Sequence, residues 1–225
     1  MWVFILFMAV SAKVALGAVT CTDDPVDKCG EPVMFERIPI SAQEFEELCP
    51  EIPEYAKCLR EYDLSCPDDD DEFFTDEEYA SVHDLFTELC FPESLLHKAV
   101  SENLQCFNET FKNTMCGVDV GPLIEPYTEP ESDKMPDRIK CLEDVLMATC
   151  VVNGISKNCN SAAKDAAVEI LQRSYAVQEF CNVENVKELL DEIDDFQLNE
   201  ESKQLVIIAL RKLSQTESNG PVSFL

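Results

Sequence analysis

The sequence predicts an all-α protein built as two tandem six-cysteine units, each a group of helices stapled by disulfides. Three observations predict it. Twelve cysteines recur at matched spacings along the chain. Apolar residues recur at the helical period behind residues that cap helices. Glycine is scarce, 6 in 225 residues, so a turn-rich β architecture has little to work with.

The N-terminal stretch stands apart from those units. Met1 to Val10 is an unbroken apolar run, followed by Ser11, Ala12, Lys13 and the small residues of VALGAV. That is the pattern of a secretory signal peptide over residues 1–17, cleaved after Gly17 with Ala15 three positions before the cut, or after Ala18. A spanning helix needs about 20 apolar residues, and Lys13 interrupts this one. The expectation is a secreted, extracellular chain with no membrane span after signal removal.

All twelve cysteines follow that point: Cys21, Cys29, Cys49, Cys58, Cys66, Cys90, Cys106, Cys116, Cys141, Cys150, Cys159 and Cys181. An even number in an exported chain reads as disulfides. No CxxC occurs, which removes the thioredoxin-type pair and the zinc knuckle, and two histidines supply a Cys/His site poorly.

Cys49, Cys58, Cys66 and Cys90 lie 92, 92, 93 and 91 positions before Cys141, Cys150, Cys159 and Cys181. Cys29-Gly30 matches Cys116-Gly117, and Cys21 takes the position of Cys106. Self-similarity at a fixed period marks a repeat. The units are expected over residues 18–105 and 106–213, with a disordered tail over 214–225. Six cysteines allow 15 pairings in each unit, and spacing does not choose among them.

The elements follow in order. Ser41 and Glu44 form a capping box ahead of Phe45 and Leu48. Thr75 and Glu78 form another ahead of Tyr79, Val82, Leu85, Phe86 and Leu89, with Asp76 and Glu77 at the positive end of that helix. Pro92 is expected to start a helix with Leu95, Leu96, Ala99, Val100 and Leu104, continuing through Phe107, Phe111 and Met115. Ile139, Leu142, Val145, Leu146 and Thr149 make one stripe through Cys141 and Cys150. Residues 162–180 give Ala163, Ala166, Ala167, Ile170, Leu171 and Val177. Asn182 caps a helix with Val186, Leu189, Leu190 and Ile193, and Asn199 caps a last one over 200–213.

The helix reading constrains the bridges. Cys141 and Cys150 are nine residues apart, about 13.5 Å of rise on opposite faces, whereas a disulfide needs Cα atoms within about 7 Å. They should therefore staple one helix to two different neighbours.

Charge and motif content narrow the function classes. The 45 acidic residues against 17 Lys plus Arg give a net charge of −28, which excludes nucleic acid as a partner because phosphates need basic patches. The acidic run Asp68 to Glu72 lacks the central glycine and alternate ligands of an EF-hand and reads as a solvated loop. His83-Asp84 invites comparison with secreted phospholipases A2, but the Cys-Cys pair and glycine-rich calcium loop of that family are absent. His97 falls on a separate helix. No nucleophile, base and orienter share a recognisable spacing, so no enzyme, catalytic residue, cofactor or metal site is expected. Asn108-Glu109-Thr110 is an N-glycosylation sequon at Asn108. Leu205 to Leu210 is apolar all round and is expected to close the core of the second unit.

The stretch ELCFPESLLHKAVSENLQCFNETFKNTMC, with the later CLEDVLMATC and the Cys181 segment, resembles cysteine-rich secreted helical proteins of arthropods and nematodes. These are the insect haemolymph glycoprotein family and the nematode-expanded domain of unknown function. The resemblance implies an extracellular fluid, such as a venom or another secretion. The functional expectation is a non-enzymatic binding or carrier protein for a small apolar ligand, held between stapled helices. The alternative is a protein-protein effector, such as a venom or salivary component acting on an extracellular protein.

Overall fold

The structure is a computed structural model and describes residues 21, 24–67, 73–127, 135–175, 177, 178 and 180–219. The expected signal peptide over 1–17 and the acidic run Asp68 to Glu72 lie outside the described residues. The described chain is all-α, with no strand among those residues.

The helices are α1 Pro25–Cys29, α2 Val33–Glu36, α3 Ala42–Leu48, α4 Glu51–Ser65, α5 Asp76–Cys90, α6 Leu95–Ser101, α7 Leu104–Asn113 and α8 Cys116–Ile124. A 3₁₀ turn, Glu125–Tyr127, follows. The rest are α9 Asp137–Asn158, α10 Ser161–Arg173, α11 Val183–Glu192 and α12 Glu200–Asn219.

Local chemistry explains most of the helix starts. At α5 both halves of the capping box form: Thr75 accepts from the Glu78 amide and Glu78 accepts from the Thr75 amide. Asn160, Asn182 and Asn199 cap α10, α11 and α12 by accepting from the amide three residues on, each at 2.9 Å. The Ser41 box forms only by half. Ser41 accepts from the Glu44 amide, but Glu44 turns to the Ile40 amide and to Arg37 instead.

Three expected elements differ. Pro92 does not open a helix; Ser94 caps α6 by accepting from the His97 amide. The run toward Met115 is not continuous. Asn103 breaks it, donating its side-chain amide back to the Ala99 carbonyl and accepting from Asn160 with its own oxygen. Leu95, at the start of α6, and Met115, past the end of α7, are both exposed. The helix expected over 162–180 stops at Arg173, and Tyr175 takes a left-handed φ of 57°. Val177, past that reversal, still reaches the core. Finally, α12 continues through Asn219, so residues 214–219 are helical rather than the start of an irregular tail. Nothing in SQTES stops a helix.

All twelve cysteines are bridged. The pairs are Cys21–Cys66, Cys29–Cys58, Cys49–Cys90, Cys106–Cys159, Cys116–Cys150 and Cys141–Cys181. No bridge crosses from the first six cysteines to the last six. Counted along each half, the first joins the fifth, the second the fourth and the third the sixth, the same order both times. Cys141 and Cys150 do staple α9 to different neighbours, the Cys181 turn and α8.

Helix α9 is the hub, packed against α7, α8, α10, α11 and α12. Its N-terminal two-thirds buries Ile139, Leu142 and Val145 in one core with α8, α11 and α12. The LVIIAL segment closes that core through Val206, Ala209 and Leu210. Its C-terminal turns put Ile155 into a second core, where Ala163 and Ala166 of α10 meet Phe45, Leu85, Leu96 and Phe107. That second core draws on residues from both sides of position 105.

Gly154 shows how closely α9 and α7 approach. A Cβ there would stand 2.8 Å from Thr114 Cγ2 and 3.3 Å from Thr110 Cγ2. The Cys150 and Cys159 bridges to Cys116 and Cys106 clamp the helices on either side of that point.

Two outcomes follow. Peptide mapping of the unreduced protein should recover the six pairs above; a peptide joining the two cysteine sets would contradict them. Gly154→Ala should destabilise by about 1–3 kcal/mol, because overpacking outweighs a helix-propensity gain of about 1 kcal/mol. Adding Thr114→Ser, which removes the clashing methyl, should recover most of that loss in a thermal-melt double-mutant cycle.

Candidate functional site: an apolar cavity

The second core does not close. It encloses a cavity of about 300 Å³ whose seventeen lining residues are Met, Phe, Ile, Pro, Leu, Val and Ala only. The walls come from across the chain: Phe45 of α3, Ile52 of α4, Phe86 and Leu89 of α5, Leu104 and Phe107 of α7, Ile155 of α9 and Ala167 of α10. Cys49–Cys90 ties the start of α4 to the end of α5, and Cys106–Cys159 ties α7 to the end of α9. Arg173 of α10 reaches Glu88 of α5 at 2.6 Å and Glu169 at 2.7 Å. The walls are therefore held by covalent and ionic links set around the space rather than by packing through it.

One wall is a strap, residues 33–40, that supplies Met34, Phe35, Ile38 and Pro39. Its four-residue helix has little stability of its own, and tertiary bonds hold it. Asn108 of α7 donates to the Pro39 carbonyl at 2.8 Å. Glu44 accepts from the Ile40 amide at 2.7 Å and pairs with Arg37. Phe35 stands edge-on to Tyr55 with ring centroids 5.7 Å apart. Phe35 and Phe111 are 47% and 44% exposed, so the cavity reaches solvent between the strap and α7.

Interior space in proteins is normally filled. Water is a poor filler, since the lining offers it no polar partner. An apolar solute recovers the lost dispersion contacts.

The other expected sites fall elsewhere. His83 Nδ1 lies 4.0 Å from Asp84 at the surface, with the Tyr79 ring alongside, and neither group lines the cavity. His97 is buried, its Nδ1 at 2.9 Å from the Leu89 carbonyl and its ring against Phe45. Asp76 is paired with Arg60, which also donates to the Phe74 carbonyl at 2.7 Å and so docks the end of the acidic segment on α4. Asn108 is half-buried within α7, and Thr110 of the same sequon is buried. The strap's share in the cavity was not anticipated. The only signal for it was the apolar cluster at positions 33–35 and 38–40, in a stretch rich in proline.

A second, polar hollow of about 350 Å³ lies between α8, α9 and α12. Lys157 and Glu201 of its lining pair at 3.0 Å, and Asp119 lines it too. Comparison with protein-family models, curated proteins and solved structures finds no match to this chain.

The strap has a pH dependence. Arg37, then the Ile40 amide, holds the Glu44 carboxyl below its ordinary range. A depressed carboxylate contributes its share of order above the ordinary range and loses it as acid protonates the folded form. The Ile40 amide resonance should hold from neutral pH down to the ordinary carboxylate range and move only below it. In Glu44→Gln that acid transition should vanish.

Proposed function

We propose that this protein is a secreted, acidic carrier of a small apolar ligand in an extracellular fluid, built from two copies of one six-cysteine helical module. The observation that carries the reading is the cavity: about 300 Å³, lined by apolar side chains alone and framed by disulfides. Ligand sites are concave and mostly apolar, with volumes of about 300 Å³ upward. Six bridges suit an oxidising compartment, and no described helix is long and apolar enough to cross a membrane. The common first–fifth, second–fourth, third–sixth pairing supports the two-copy reading. The alternative, a protein-protein effector, draws support from Phe91 and Leu95, both exposed around one turn.

The unreduced protein, titrated with the uncharged dye N-phenyl-1-naphthylamine, should enhance its emission with a saturable one-site curve. Ala167→Phe fills the space and should weaken uptake at least tenfold while keeping a cooperative melt. A wild-type protein that takes up no dye would overturn the carrier reading and leave the effector reading in its place.

A further inference from the structure

We propose that the cavity takes uncharged, hydrocarbon-like ligands of about a dozen heavy atoms and rejects carboxylate anions of the same length. This inference rests on the carrier reading and specifies its ligand class.

Size follows from the volume. An apolar cavity of about 150 Å³ accepts benzene, so twice that space holds roughly twelve heavy atoms at the same filling, and a somewhat larger molecule extends into the open mouth between Phe35 and Phe111.

Charge follows from the surroundings. No lining residue carries a cation or a hydrogen-bonding side chain. Of the cations on neighbouring elements, Arg37 pairs with Glu44, Arg60 with Asp76, and Arg173 with Glu88 and Glu169, while Lys98 donates to the Glu93 carbonyl; Lys112, beside Phe111 on α7, is exposed at the rim and outside the lining. Among the described residues no buried side-chain nitrogen or oxygen waits without a partner, so no orphan donor marks a seat for a carboxylate. Pro39, on the strap, has no amide hydrogen to offer. A carboxylate drawn inside would lose its water and gain nothing in exchange, and one held at the mouth would keep its water but stand in the field of a chain with net charge −28.

The surface adds to the selection. A net charge of −28 lowers the local concentration of any anion approaching the mouth. A hydroxyl or ester does not feel that field and can keep its water between Phe35 and Phe111.

The test is displacement of bound N-phenyl-1-naphthylamine from the intact protein by 1-dodecanol, methyl dodecanoate and dodecanoate, each below its aggregation limit. Near neutral pH the alcohol and the ester should displace the dye, with dodecanoate at least tenfold weaker. That gap should narrow as the pH falls toward the fatty acid's own pKa, because the neutral acid then becomes the competing species. Ala167→Phe should abolish the alcohol's effect and so locate it in the cavity. Dodecanoate matching dodecanol at neutral pH would overturn the proposal. Dye binding that none of the three displaces would overturn it too, while leaving the carrier reading intact. Failure of the dye itself to bind would remove both.

Discussion

The structure depends on one constraint: a single long helix pinned at three points to three different partners. Cys141, Cys150 and Cys159 sit at nine-residue intervals along α9 and its C-cap, and they bridge to Cys181, Cys116 and Cys106. Each nine-residue step is about 13.5 Å of rise and a half-turn of azimuth. Successive bridges therefore leave opposite sides of the helix and cannot share a neighbour. A helix held this way can be buried on several sides without relying on one apolar stripe. The α7 contact at Gly154 and the two cores at its ends follow from where the bridges bring other helices alongside.

Those links also explain how an unfilled space can persist. Loop-closing bridges act largely on the unfolded chain, so stability does not require every internal contact to be made. Sequence separations of 29 to 53 residues between paired cysteines fall where loop closure gives about 3–4.5 kcal/mol per bridge. Ala163, Ala166 and Ala167 of α10 stand in the second core with Leu85 of α5 and Phe107 of α7, and the bridges and Arg173 link the elements around the space.

Features written in local sequence were legible. The Thr75 box, the asparagine caps at Asn182 and Asn199, and the α9 stripe stand in the structure, because each depends on residues within one or two turns; the expected all-round burial of LVIIAL holds for Val206, Ala209 and Leu210 but not for Ile208, which is exposed. The inference that Cys141 and Cys150 must take different partners came from helix geometry alone. The pairing itself needed three dimensions. So did the break at Asn103, where a side-chain amide competes with the backbone for the Ala99 carbonyl. The reversal at Tyr175 had no signal, since a left-handed φ usually announces itself as glycine. The cavity was the least legible feature. Its walls come from seven helices and a strap, and no periodicity in any one of them distinguishes a side chain facing a neighbour from one lining a pocket.

The bridges, not packing alone, are expected to keep the apolar space open. The most direct measurement follows N-phenyl-1-naphthylamine emission and far-ultraviolet circular dichroism together while the bridges are reduced without denaturant. Dye emission should collapse as the bridges open, ahead of any major loss of helix. Emission that survives complete reduction with the helices intact would show that the space needs no bridges, and would contradict the account.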